Sequence, residues 1–257
     1  MKLPARNGRG IFPKQFCAVM LVLTAAGPVS AQTAEEERPI SLKKLVPNII
    51  DDQKPIWLFP AHLAMGHDLL PAALVLGTTA GLIVADPSEA RYFRNSSSYR
   101  GFNRVFTGNA TAVGIALAPI SVYAVGLFTH DTKMKNTALL AGEAVADAGI
   151  LSEVMKTATE RVRPTDIPPH GNFADTWTER GVSSNTSFPS GHAILGFAIA
   201  TVIARRYSNH RWLPYVAYGL TAAVCFSRLS SSAHYGSDVF IGAALGYSIG
   251  RFVVLRQ

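Results

Sequence analysis

The stretch Thr137-Ala-Leu-Leu-Ala-Gly-Glu143-Ala-Val-Ala-Asp147-Ala-Gly-Ile-Leu-Ser-Glu153-Val-Met155 is built of Ala, Leu and Gly around three acids, and nowhere alternates apolar with polar residues. Ala and Leu are strong helix formers, and Glu143 and Asp147, four apart, fall on one helix face. Working outward, apolar runs of the same kind recur at about 70–85, 110–128, 192–204, 212–226 and 238–255, separated by polar, Arg-rich or Pro/Gly-rich stretches. None reads as a strand. The fold class expected is all-α, a helical bundle of about six core helices.

The chain has 257 residues, 48% hydrophobic and 16% charged, with a mean hydropathy of +0.19. Intrinsic disorder is excluded, because it needs low hydrophobicity and high net charge. The formal charge of +7 is concentrated at the N-terminus, where Lys2, Arg6, Arg9 and Lys14 meet no acid. Without those four, 20 basic face 17 acidic residues, a balance of +3 too small and scattered for a nucleic-acid footprint. The basic stretch leads into an apolar run from Phe16 to Ala26, the breakers Gly27 and Pro28, and Val29-Ser30-Ala31. Small residues at the ends of that last triplet predict a cleaved export signal over 1–31. Residues 32–69 then form a short, kinked amphipathic lead-in with Leu42, Leu45, Val46 and Ile49 around Pro47, and 70–257 is one domain. Cleavage leaves only Cys225, so no internal disulfide is expected and packing must hold the bundle.

A membrane span needs about 20 apolar residues, and the runs 70–85 and 192–204 fall short of that, while Glu143, Asp147 and Glu153 interrupt 137–155. In lipid those acids would have to face the bundle interior. Three crossings from an exported N-terminus would put residue 156 onward in the cytoplasm and Arg205, Arg206 and Arg211 outside, against the positive-inside tendency. The expectation is therefore a membrane-associated or membrane-embedded protein whose chemistry lies on the extracytoplasmic side.

That chemistry is concentrated in three segments: Lys156 to Pro164, Pro189-Ser190-Gly191-His192, and Ser227-Arg228 to His234 and Asp238. The first ends a helix, the second opens the next, and the third closes one helix and opens another. Antiparallel neighbours joined in this way bring all three to one face of the bundle. Lys156, Arg163 and Arg228 supply a point charge and two guanidinium forks, suited to a tetrahedral oxyanion. The amides around Ser190 and Gly191 add donors at a helix N-terminus. Asp238, four residues after His234, can accept one ring N–H and leave the other nitrogen as a nucleophile, and His192 can protonate a leaving oxygen.

At these residues the chain resembles the type 2 phosphatidic acid phosphatase and haloperoxidase-related superfamily. Lys156 with Arg163-Pro164, then Pro189 to His192, then Ser227-Arg228 with His234 and Asp238, match its three-part pattern without substitution over 156–238. The resemblance implies metal-free phosphomonoester hydrolysis: His234 attacks phosphorus, Asp238 orients it, and His192 protonates the leaving alcohol and then activates water against a phosphohistidine. Lys156, Arg163, Ser190, Gly191 and Arg228 would bind the phosphoryl oxygens. The expected substrate is a phosphorylated lipid or a small phosphoester, with the membrane as partner, no nucleic acid and no cofactor. A vanadate-dependent haloperoxidase, a soluble broad acid phosphatase and a non-catalytic lipid-binding protein are the alternatives.

Blander roles compete residue by residue. Ser190 can be a helix N-cap, His234 and Asp238 a surface pair, and Lys156, Arg161 and Arg163 cations at a helix C-terminus. Glu160 and Arg161, between the fixed positions of the first segment, read as solvated. His62 and His67, five apart, do not align as metal ligands on a helix. The stretch Thr165 to Ser187 reads as a long loop beside the site, a place for substrate selection.

Overall fold

The computed structural model of the chain describes residue 38, residues 40–177 and residues 186–256. The expected signal over 1–31 and its cleavage site lie outside the described residues. Among those described there are eight α-helices and no strand. They are α1 (Leu42–Ala64), α2 (Leu69–Arg94), α3 (Arg100–Val105), α4 (Gly108–Phe128), α5 (Thr132–Thr159), α6 (Gly191–Arg206), α7 (Leu213–Ser230) and α8 (Gly236–Ser248). A π-helical turn, Ile249–Val254, continues α8, and a 3₁₀ turn, Ala174–Thr176, sits in the long loop. The all-α expectation holds.

α6 is the central element, with α4, α5, α7 and α8 packed around it. Leu140, Ala144 and Ala148 of α5 meet Ile194, Ala198 and Val202 of α6 and Ile249 and Val254 of the π turn in one buried cluster. The α6–α8 contact is unusually close because α8 and its continuation carry Gly242, Gly246 and Gly250 at four-residue spacing. A Cβ at Gly242 or Gly250 would stand 2.9 Å from the carbonyl oxygen of Ser190 or Ala198, and one at Gly246 would run into Ile194. Small residues on one stripe let the two backbones touch, and that contact seats Asp238 of α8 beside the start of α6: the Ser190 N–H donates to the Asp238 carbonyl at 3.0 Å.

Two expectations about helix length change. The run at 70–85 looked too short to span, yet α2 continues to Arg94, because Asp86 is fully buried and turns inward instead of ending the helix. The lead-in is a 23-residue helix with Pro47, Pro55 and Pro60 inside it. Polar side chains hold it to α5: Asn48 donates to Glu143 at 2.8 Å and Gln53 to Asp147 at 2.7 Å. Arg38 bridges Asp52 and Glu143, and Arg256 reaches Asp52 at 3.1 Å. Glu143 and Asp147 are thus buried inside the bundle.

Among the described residues three helices are long and apolar enough to cross a membrane: α2, α4, and α8 with its continuation. They differ in surroundings. The apolar window of α8 is 72% buried within the protein, whereas those of α2 and α4 are only 11% buried. Leu70, Leu74, Leu76 and Val84 of α2 and Val113, Leu117, Ile120 and Phe128 of α4 are exposed. Exposed apolar residues in this number mark contact with a membrane or a protein partner.

Candidate active site

Helix direction gathers the site. α2, α5 and α7 end, and α4, α6 and α8 begin, at the same end of the bundle, as shown by the bonds Asp86–Ser237, His192–Gly108 and Ser227–Phe106. All eight sequence-nominated residues lie at this end.

α5 terminates at Glu160, which adopts a left-handed backbone (φ 46°) and turns the chain into an extended segment. Lys156, in the last helical turn, bonds Glu153 at 2.9 Å. Its Nζ lies 3.7 Å from where a Cβ of Gly191 would stand, so the ammonium reaches the start of α6, and a bare glycine leaves it room. Four residues beyond the end of the helix, the Arg163 guanidinium bonds the carbonyl of Ala233 at 3.1 Å. Burial pushes its pKa below the ordinary arginine value, and nearby Asp238 and Asp166 oppose that.

Ser190 occupies the N-cap position of α6 but makes no capping bond with its side chain. Its hydroxyl is buried without a partner among the described residues, as is Nε of Arg228. Unpaired buried donors are costly, and both lie at this end of the bundle, Ser190 beside the first amides of α6, which have no preceding turn to bond. The group is a ready cradle for an oxyanion. The other face of the Arg228 fork is engaged: Nη2 bonds the carbonyl of Phe106 and the hydroxyl of Ser227, the latter at 2.8 Å. Ser227 itself donates to the Phe106 carbonyl at 2.7 Å. The connection from α3 to α4 therefore lies directly on the site, which sequence reading did not foresee.

His192, second residue of α6, places Nε2 3.0 Å from the Gly108 carbonyl. Its pKa is pushed down to about 4, chiefly by burial, and also by the charges of Arg228 and Arg163. It is therefore neutral at physiological pH in the free protein, with Nε2 donating to Gly108.

His234 is 4% exposed, in the turn between α7 and α8. Its Nδ1 donates to the Ser187 carbonyl at 2.8 Å and lies 3.8 Å from Oδ2 of Asp238. The expected direct bond to the carboxylate is thus secondary in this structure: a main-chain carbonyl is the closer acceptor, and Asp238 acts as a nearby charge. Either way Nδ1 carries the proton and Nε2 is left with its lone pair. Burial pushes the His234 pKa below the ordinary imidazole value, while the contacts with Asp238 and Ser187 oppose it.

Asp238 is fully buried at the third position of α8, where its Oδ2 accepts from the Tyr235 N–H at 2.9 Å, as an acid in a helix's first turn does. Oδ2 also accepts from Ser187 Oγ at 2.5 Å, and Oδ1 from Arg161 at 2.5 Å. Arg161 corrects the sequence reading. It was expected to be solvated, yet it is fully buried and paired with both Asp86 and Asp238. Its second partner lies 75 residues upstream on α2, out of reach of any local pattern. Glu160 is exposed, as expected.

His62 and His67 stack edge to face with centroids 6.2 Å apart, and among the described residues no cluster of His, Cys, Asp and Glu has metal-holding geometry. Of the long loop, residues 178–185, including Glu179 and Arg180, lie outside the described residues.

A family model described as the PAP2 superfamily matches residues 137–257. The chain is 34% identical over 125 residues to Bacitracin transport permease protein BcrC of Bacillus licheniformis, covering 49% of this chain and 58% of that protein. It is 31% identical over 102 residues to a lipid A 1-phosphatase of Rhizobium etli, covering 40% and 42%. With decaprenylphosphoryl-5-phosphoribose phosphatase of Mycobacterium tuberculosis the identity is 34% over 115 residues, covering 45% and 58%. The matches therefore span roughly half of each of these relatives. No solved structure matches the chain.

Proposed function

Because residues 137–257 belong to the PAP2 superfamily, we propose that this protein is a phosphatase that hydrolyses a phosphate or pyrophosphate group of a membrane lipid through a covalent phosphohistidine. The observation that carries the reading is the convergence of the free Nε2 of His234, the proton of His192 and the unpaired donors of Ser190 and Arg228 at one end of the bundle. The lipid class follows from the bare apolar faces of α2 and α4, which flank that end, and from two relatives whose names specify lipid-linked phosphates.

In the first step His234 Nε2 forms a bond to phosphorus as the ester P–O bond breaks, and His192 gives its proton to the leaving alcohol. Lys156, Arg163, Arg228, the Ser190 hydroxyl and the amides at Gly191 hold the three equatorial oxygens as charge redistributes. The positive charge that develops on the His234 ring is balanced by Asp238. In the second step a water attacks phosphorus, its proton passes to His192, the N–P bond breaks and inorganic phosphate leaves. His192 must be protonated for the first step and neutral for the second. A bound phosphate dianion reverses the local charge set by Arg163 and Arg228 and raises the His192 pKa from its low resting value towards neutrality. The cationic donor set suits an oxyanion and repels a divalent metal, so the chemistry is assigned to side chains alone.

The test is phosphate release by purified protein from phosphatidate, lysophosphatidate, undecaprenyl pyrophosphate and an aryl phosphate, with EDTA or vanadate added. Release that survives EDTA and is blocked by vanadate is expected. Activity that needs added Mg²⁺ or Zn²⁺ would overturn the metal-free mechanism, and hydrolysis of the aryl phosphate alone would overturn the lipid assignment.

A further inference from the structure

We propose that Arg161, anchored by Asp86 of α2, is a positioning residue for the histidine nucleophile: it fixes the Asp238 carboxylate, and through Asp238 and Ser187 the ring of His234. The proposal rests on the phosphatase reading above. It extends the site to a residue between the fixed motif positions, and to a helix outside residues 137–257.

The geometry is a closed network. Arg161 Nη1 donates to Asp238 Oδ1 at 2.5 Å and to Ser237 Oγ at 2.6 Å, and Nη2 donates to Asp86 Oδ2 at 2.6 Å. Asp86 in turn accepts from the Ser237 N–H at 3.2 Å and from Ser237 Oγ at 2.5 Å. The guanidinium plane lies between aromatic rings, 4.3 Å from the centroid of Tyr235 and 4.8 Å from that of Trp177. The main chain reinforces the side chain, since the Arg161 carbonyl accepts from the Ser187 N–H at 2.7 Å. Ser187 then holds both partners of the pair: its hydroxyl bonds Asp238, and its carbonyl bonds His234 Nδ1.

Burying an arginine is expensive unless the charge is paired and its donors are used; here two carboxylates and a hydroxyl take up the two Nη groups, and Nε has no partner among the described residues. The enclosure also excludes a direct role. Arg161 is 0% exposed and walled by rings, so it does not reach a phosphoryl group. Arg163, two residues on, is partly exposed and bonds the carbonyl of Ala233. Burial thus divides two arginines between two tasks: Arg161, enclosed, holds the carboxylate behind the nucleophile, and Arg163, partly exposed, is left for the phosphoryl group. With Arg161 gone, Asp86 and Asp238 would share a buried space with no cation between them, and Asp238 would lose the fork that fixes its plane. The nucleophile would then lose orientation while the phosphate cradle of Lys156, Arg163 and Arg228 stayed intact.

The test compares wild type with Arg161→Lys, which keeps the charge but lacks the planar fork that fixes both carboxylates, and with Asp86→Asn, which leaves Arg161 and Asp238 in place. Phosphoenzyme formation and steady-state hydrolysis are measured on variants that elute and melt as wild type. For Arg161→Lys, phosphoenzyme formation and kcat fall by about tenfold or more, as loss of orientation implies. KM and the vanadate inhibition constant stay within about threefold of wild type, because ground-state phosphate binding is untouched. Asp86→Asn shows the same pattern in weaker form. Unchanged kcat in both variants, or a rise in KM and in the vanadate constant with kcat preserved, overturns the proposal. If Arg161→Lys fails to fold, Asp86→Asn decides on the same criteria. A wild type that releases no phosphate from any substrate fails the phosphatase reading itself, an outcome distinct from variants indistinguishable from an active wild type.

Discussion

The two histidines differ in what surrounds them, and that difference sets what each substitution does. His234 keeps Nε2 free because Nδ1–H is spent on Ser187. His234→Ala therefore removes the attacking atom, and neither turnover nor trapped phosphoenzyme is expected. His192→Ala removes only the proton source, so an aryl phosphate, whose leaving group needs little protonation, still labels the protein while turnover of an alkyl phosphate collapses. Acid-quench trapping of labelled phosphate on the His234→Ala protein would refute the assignment. The pH profile follows from the same surroundings. Burial, with Arg163, holds the His234 pKa below the ordinary imidazole value, so the acid limb falls at lower pH than a free histidine would give. Arg163→Gln removes a cation that disfavours protonation, and the acid limb of kcat moves to higher pH. A limb that stays put or moves down, at unchanged substrate ionisation, contradicts this. The histidines were legible in the sequence because their spacing is local, four residues to Asp238 and two to Ser190. Arg161 was not, since charged residues are nearly always exposed and nothing near it marks its buried partner on α2.

Helices carry these residues, and two glycines show how tightly. Gly246 lets α8 lie on the Ile194 carbonyl of α6. Gly246→Val forces the backbones apart, lowers the Tm in detergent and costs at least about 1–3 kcal/mol, the range for overpacking. A melt within error of wild type would mean that this contact does not hold the bundle. Gly108 opens α4, and a Cβ there would stand 2.5 Å from Nη1 of Arg228. Gly108→Ala should displace that guanidinium and raise KM by about tenfold, the loss expected for one charged hydrogen bond, with little change in Tm. Helix existence was readable from composition for all six long runs. Helix ends were less so, because Asp86 looks like a terminator to hydropathy and is an interior ligand of Arg161.

At the scale of the molecule α2, α4, α5, α6, α7 and α8 alternate in direction, so the site end is opposite the turns at 129–131 and 207–212. An extracytoplasmic site puts those turns, with Lys133, Arg205 and Arg206 beside them, in the cytoplasm, in keeping with the positive-inside tendency. Phe173 in the loop beside the site is 53% exposed and Cys225 is 0% exposed. In a Cys225→Ala background, Phe173→Cys is expected to react with an impermeant thiol reagent on cells with a permeabilised outer envelope, and His130→Cys only once the inner membrane is broken. The reverse pattern would place the chemistry inside. Sequence alone left this parity open, since it hid how far α2 runs and gave no length for α1.

One feature of α4 joins these scales. Its outer face is bare and apolar, while its first turn and the carbonyl before it rest on Ser227, Arg228 and His192. At 21 residues it is about 31 Å long, close to the hydrocarbon thickness of about 30 Å in an ordinary bilayer. A thinner bilayer is accommodated by tilting such a helix, and in a bilayer-spanning α4 a tilt would shift its first turn against Arg228 and His192. On the function proposed above, acyl-chain length would then be a mechanical input to phosphate chemistry, independent of which lipid is the substrate.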